Sequence, residues 1–336
     1  MGMKIVITGG LGFVGNQVAR QLARNFPNAK ITAVGRSPAA APSKIFKNLE
    51  YVSSDLTYKN LSFSWLKGVD CVFHVAAKAG IGGCFNDYYQ ANFTATQGLL
   101  SASKEYGVRQ FIYTSTPSVV FTNQDIQGGN ESLPYIQSKI SPYAYTKAKA
   151  EKLVLESNCP GEFQTLALRP HLIWGKEDPH LLPRILQKHR NNKLKIVGGG
   201  KNRMDITHVS NVAHAHICAF QAMLKNQNLG GKPYFIGQNE PVEIWPWLNE
   251  IFMNLELPEL TKRISYQSAY FIGFIMEKIW NGFHISSDPP MTRFVASQLA
   301  HDHWFSGKAA EHDLNYHPLI SMNQAMQDTL PWLRSL

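Results

Sequence analysis

The chain has 336 residues, 44% hydrophobic and 17% charged, which is enough apolar material for a large core and argues against a disordered chain. Its formal net charge is +9. The densest basic stretch, Lys188 to Arg203, is broken by Gly198-Gly199-Gly200 and lacks interleaved aromatics, so no nucleic-acid partner is expected.

In chain order, Lys4–Thr8 (KIVIT) is a short β-branched run, followed by a glycine-rich turn and a helical pattern from about Gly12 to Arg24. Ile31–Val34, Tyr51–Ser54 and Cys71–Val75 read as further strands. A helix is expected from about Asn92 to Tyr106, then strands at Phe111–Thr114 and Thr165–Leu168. Nearly continuous apolar strands alternating with helices predict an α/β fold: a Rossmann doubly wound parallel sheet covered on both faces. After about Pro170, Pro, Trp and Gly become frequent, and a smaller C-terminal substrate-binding domain is expected. The predicted division assigns 1–175 to the dinucleotide-binding domain, with 206–224 returning to it, and 176–205 plus 225–336 to the substrate region. Ile206–Met223 reads as a strand and helix rejoining the main sheet. Tyr270–Trp280 (YFIGFIMEKIW) is too short to cross a bilayer, which takes ~20 residues, and reads as a buried or substrate-lining helix, with a membrane-surface helix as the competing reading. The dispersed cysteines Cys71, Cys84, Cys159 and Cys218 form no C-x-x-C pair and suit free thiols in a reducing cytoplasm. The strand beginning at Lys4 reads as leaving no room for a signal peptide.

Gly9, Gly12 and Gly15 stand between the first strand and the first helix. Such a loop lets the backbone turn tightly and brings a pyrophosphate to the helix N-terminus, where Phe13 and Val14 offer unpaired N–H groups. At the end of the second strand, where an NAD enzyme usually places a carboxylate, the chain has Gly35 and then Arg36. An arginine suits a 2′-phosphate, so NADP(H) is preferred and NAD(H) is left open. Asp55 and Leu56, after the third strand, suit the adenine, with a helix N-cap by Asp55 as the competing reading.

Tyr143 and Lys147 are four apart and share a helix face. Reducing a ketone needs a proton at oxygen, and a neighbouring ammonium brings a phenol of pKa ~10 closer to use. Tyr145 and Lys149 repeat the spacing, but two residues turn the helix by ~200°, so one pair alone can face a cofactor. Upstream, Thr116 and then Ser115 are candidates to orient a carbonyl oxygen; satisfying strand-end backbone is their plainer role. His208, His214 and His216 lack the i, i+4 metal spacing, and no metal is expected. His171 and His180 suit substrate contact better.

Together these motifs resemble the extended short-chain dehydrogenases/reductases. The stretches PYAYTKAKAE (142–151), LRPHLIWGKEDPHLLPRI (168–185) and DITHVSNVAHAH (205–216) resemble their 3β-hydroxysteroid and sterol-4α-carboxylate 3-dehydrogenase branch. VFHVAAKAG (72–80), YTSTPSVVF (113–121), ALRPHLIWG (167–175) and MTRFVASQL (291–299) look most like the 2-alkyl-3-oxoalkanoate reductases of bacterial long-chain olefin biosynthesis. The resemblance favours Tyr143/Lys147 over the second pair, because Ala150 and Glu151 follow at the family's offsets. It implies a catalytic trio of Thr116, Tyr143 and Lys147. It also implies cofactor contacts at Ala76, Ala77, Lys78 and Pro170, with Asn92 ordering the site. One departure is Ile81-Gly82-Gly83, where those reductases carry a Trp-Gly pair. The expected activity is interconversion of a 3-oxo and a 3-hydroxy group on a lipid-like substrate. The alternatives are an NAD-dependent 3β-hydroxysteroid or sterol-4α-carboxylate dehydrogenase, and a non-catalytic NADP-sensing protein. A homodimer, peripheral membrane contact and a place in a multi-enzyme complex are left open.

Overall fold

The computed structural model describes residues 2–36, 46–58, 61–283, 285 and 287–336. Its main sheet contains β1 (Lys4–Thr8), β2 (Lys30–Gly35), β3 (Leu49–Ser53), β4 (Cys71–His74), β5 (Gln110–Thr114), β6 (Gln164–Pro170) and β7 (Lys232–Ile236). All seven are parallel, in the order 3-2-1-4-5-6-7. Successive side chains of each strand enter opposite layers. Ile5, Ile7, Phe73 and Leu166 pack under α1 (Phe13–Asn25) and α4 (Val209–Lys225). Val6, Val72, Phe111 and Ala167 pack under α2 (Ala95–Glu105) and α3 (Pro142–Glu156). Burial on both faces is why these strands read as continuous apolar runs. The order reverses between β1 and β4, and the crevice at their C-terminal ends is where such sheets bind ligands.

A second core gathers Trp174, Leu182, Leu186, Trp245, Trp247 and Phe252. Beside it lies a four-stranded sheet in the order Val242–Glu243, Arg203–Met204, His303–Phe305, Ile126–Gly129. The two parts therefore exchange strands in both directions. Ile126–Gly129 comes from the first part, and β7 comes from the stretch expected to lie wholly in the second.

Parts of two sequence expectations fail here: the return of a strand at 207–208 to the main sheet, though the helix after it does pack there, and the burial of the apolar helix. Thr207–His208 does not rejoin the main sheet but pairs with Ile173–Trp174. The edge it would need is taken by β7, which runs beside β6 from Leu166 to Pro170. The apolar helix Tyr266–Gly282 is not buried: of its side chains Ala269 alone is enclosed, beside Gly273, and Phe271, Ile272, Phe274, Ile275 and Ile279 face solvent. The cause is Gly273, whose Cα lies so near the next helix that a Cβ would sit 2.5 Å from the Thr292 carbonyl carbon. The helix packs through this narrow face and turns its large residues outward. Such an exposed row is typical of a surface that meets another surface.

Candidate active site

At the switch point, Gly9 has φ +69°, and a Cβ there would sit 2.7 Å from the Ala76 amide. The turn closes through Gly12 N–H donating to the Gly9 carbonyl at 2.9 Å, and a Cβ on Gly15 would overlap that carbonyl. Gly9 and Gly15 are thus required by close approach, while a Cβ on Gly12 would meet only the Gly9 carbonyl, at 3.3 Å. Helix α1 opens after Gly12 with no side-chain cap and no acidic residue in its first turn. The N–H groups of Phe13, Val14 and Gly15 precede the first intrahelical donor, Asn16. They form a ready anion site.

Ala76 borders this loop at Gly9, and Ala77 and Lys78 follow it along the chain. Asn92 fixes them: its Oδ1 accepts from the Lys78 N–H at 2.7 Å, and its Nδ2 donates to the Lys78 carbonyl at 3.1 Å and to Thr146 Oγ1 at 3.2 Å. A π-helical turn, Tyr89–Thr94, precedes α2 and carries Asn92 into this position. The Lys78 ammonium turns away to Asp87, at 2.9 Å.

At the far end of the crevice, a Cβ on Gly35 would press on the Leu11 side chain, 2.9 Å from Cδ1. Arg36 is exposed. Asp55 caps a turn rather than a helix, its Oδ1 accepting from Thr57 N–H at 3.0 Å and Thr57 Oγ1 at 2.7 Å. The Thr57 amide holds the Asp55 carboxyl below its ordinary range, with Thr57 Oγ1 and the Arg36 charge adding to it against burial. Leu56 packs against the sheet core.

Helix α3 starts sharply because Ser141 accepts from the Ala144 N–H at 3.2 Å and Pro142 stands at its first position. Tyr143 then falls in the first turn, and Lys147 one turn later on the same face. Burial pulls the Lys147 ammonium down to about 7, against the Glu151 charge. Its Nζ donates to the Thr114 carbonyl at 2.6 Å and lies 4.0 Å from the Tyr113 ring centroid. Burial pushes the Tyr143 phenol up to about 12, the Thr116 hydroxyl opposing. The anticipated lowering of the tyrosine by the lysine is therefore not what this arrangement produces: the ammonium is engaged by the β5 end. A phenol this firmly protonated at neutral pH is in the form that donates a proton.

Thr116 is buried, accepts from Ser118 N–H at 3.2 Å, and stands next to Tyr143. Ser115 is buried, and its hydroxyl has no partner among the described residues. Pro170 ends β6 opposite Ile236. The second pair turns elsewhere: Tyr145 packs on Phe85, and Lys149 is exposed above Phe93.

The histidines mostly serve as internal struts. His74, unmarked in the sequence reading, bridges Thr8 Oγ1 at 2.7 Å and Thr96 Oγ1 at 2.8 Å, and burial lowers its pKa to about 3. His216 bonds Thr114 Oγ1 at 2.7 Å and the Val212 carbonyl at 2.8 Å. His208 caps α4 by accepting from Ser210 N–H. His171, expected to meet substrate, is enclosed: Nδ1 bonds the Asp205 carbonyl at 2.6 Å and Nε2 faces His303 Nδ1 at 3.2 Å. Burial and the facing His303 lower its pKa to about 3. His180 is exposed at the start of helix Leu181–Arg190. Another feature missed in the sequence is the buried Glu151–Arg169 pair, linking α3 to β6, with Arg169 Nε 3.1 Å from both carboxylate oxygens.

The profile of the 3-beta hydroxysteroid dehydrogenase/isomerase family matches residues 6–266. The chain is 37% identical to a 2-alkyl-3-oxoalkanoate reductase of Stenotrophomonas maltophilia, over 97% of this chain and 98% of that one. It is 32% identical to the decarboxylating sterol-4-alpha-carboxylate 3-dehydrogenase of Mus musculus, over 97% and 90%. Among solved structures, the UDP-glucuronic acid 4-epimerase of Bacillus cereus, in complex with NAD, superposes with TM-score 0.75 over 99% of both chains at 22% identity, a likeness of fold.

Proposed function

The chain belongs to the 3-beta hydroxysteroid dehydrogenase/isomerase family, and from that premise we propose that it reduces the 3-oxo group of a 2-alkyl-3-oxoalkanoate with NADPH. The observation that carries this is Tyr143 beside Thr116, above the buried Lys147, in a chain similar over its full length to such a reductase. When bound, the dinucleotide supplies the hydride. Gly9, Gly12 and Gly15 let its pyrophosphate reach the N–H groups of Phe13 and Val14. Ala76, Ala77 and Lys78 border its path, Asn92 holds that border in place, and Pro170 closes the opposite wall. Asp55 and Leu56 flank the adenine, and Arg36 takes the 2′-phosphate. Thr116 orients the carbonyl, and Tyr143 donates a proton to the oxygen as the carbon accepts hydride. Lys147 holds the nicotinamide ribose hydroxyls. Residues 176–205 and those after β7 supply the wall that covers the substrate.

A second reading, oxidation of a 3β-hydroxyl on a sterol-like ring with NAD, has support in the similarity to the mouse dehydrogenase. Purified protein assayed for reduction of freshly prepared 3-oxo acids of varied chain length with NADPH and NADH, and for oxidation of a 3β-hydroxysteroid panel with NADP⁺ and NAD⁺, separates the two. Turnover confined to steroids sinks the first reading; absence of turnover on either set favours a non-catalytic nucleotide sensor. For the cofactor, Arg36→Ala is expected to raise KM for NADPH ~10- to 100-fold, the value of a charge-assisted contact, and to change KM for NADH far less. Equal changes with both cofactors would remove Arg36 from phosphate recognition.

A further inference from the structure

An acid whose ketone sits at Tyr143 must place its carboxylate two carbons away, so the cleft needs a cation near the proton donor. Lys147 is 2% exposed and engaged by the Thr114 carbonyl. Lys78 is tied to Asp87. Arg184 is different. It is half exposed and makes one hydrogen bond among the described residues, from Nη1 to Asp288 Oδ2 at 2.9 Å. A guanidinium has five donors, so most of its capacity is unspent.

The position of that pair is set by its surroundings. Pro289 packs so tightly on Gly82 that a Cβ there would overlap its ring, and Lys188, one turn beyond Arg184, donates to the Pro290 carbonyl at 3.1 Å. Asp288 Oδ1 and the Tyr88 hydroxyl both lie against Gly80, and that hydroxyl donates to the Gly82 carbonyl at 2.7 Å. After burial, the groups that act on the Tyr88 phenol include Asp288, Tyr143 and Arg184. Tyr88 therefore has both the proton donor and the Arg184–Asp288 pair within electrostatic reach, and its hydroxyl lies with Asp288 against the Gly80–Gly82 loop.

We propose that Arg184 binds the substrate carboxylate in a two-point contact, and that Asp288 is the internal counter-ion which the substrate displaces. The inference rests on the oxo-acid reading of the function and adds the residue that tells an acid from a neutral ketone. Arginine suits this role because its planar fork matches a carboxylate.

Because 3-oxo acids lose carbon dioxide spontaneously, the test runs as oxidation with NADP⁺, comparing a 2-alkyl-3-hydroxyalkanoate with its methyl ester. In Arg184→Met, KM for the acid is expected to rise ~10- to 100-fold, with kcat/KM for the ester within ~3-fold of wild type. Asp288→Asn is expected to lower KM for the acid and leave the ester unchanged, a change of sign that a merely structural pair would not give. Equal losses on acid and ester in Arg184→Met, or a raised KM for both substrates in Asp288→Asn, overturn the inference alone. A wild-type protein that oxidises neither compound but accepts steroids overturns the oxo-acid reading and this inference with it.

Discussion

Tyr143→Phe is expected to lower kcat by ~100- to 10,000-fold, the range that a positioned acid or base contributes. Dinucleotide affinity should stay near wild type, since the glycine loop, Asn92 and Lys147 are untouched. The phenyl ring fills the same space, so loss of turnover would not come from misfolding. The chemical basis is the protonation state: with its pKa pushed up to about 12 by burial, the phenol is protonated at neutral pH, as carbonyl reduction requires. Steady-state turnover and a fluorescence titration with NADPH check the two halves separately. A near-normal kcat would end the assignment. Tyr145 could not take over without rebuilding α3, because its ring lies against Phe85 with the Lys139 ammonium 5.5 Å away.

Local chemistry was readable in the sequence wherever it depended on neighbours along the chain. The strand, glycine loop and helix at Lys4–Asn25 follow from spacing, because Gly9 and Gly15 answer contacts with the β4 end and within the loop. Two Tyr–Lys pairs stood in one helix, and periodicity alone could say only that they face apart. Ser141 and Pro142 set the helix start, and packing against Thr114 and Tyr113 then turned Lys147 inward. What escaped depended on distant partners. His171 resembled a substrate ligand because its neighbours in the sequence do not reveal His303, which closes over it. The Tyr266–Gly282 helix looked like core from composition, yet one small residue, Gly273, decided which face packs. Strand β7 (KPYFI) is short and follows a loop, and it joins the sheet by capturing the exposed edge of β6. The pairing of Arg184 with Asp288 likewise unites residues 104 positions apart.

Glu151→Ala should be the most damaging substitution for stability. Glu151 is fully enclosed and accepts from Arg169 Nε and Nη2 and from the Tyr135 hydroxyl at 2.8 Å. Arg169 is 1% exposed, and its Nη1 already lacks a partner among the described residues. Removing the carboxylate strands a buried cation, a change that costs ~3–5 kcal/mol because neither water nor another anion can reach it. The urea midpoint should fall accordingly with little change in slope. Replacing both partners by apolar residues, Glu151→Leu with Arg169→Met, should recover much of the loss, since the penalty comes from the unpaired charge. The pair also lies close to the site: Glu151 is one turn beyond Lys147, and Arg169 directly precedes Pro170. If the double variant regains stability while its KM for the dinucleotide stays raised, the ion pair positions α3 against β6 for cofactor binding. A single-variant loss below ~1 kcal/mol would instead mean that the interior around Arg169 admits water, and the pair would then contribute little to either stability or binding.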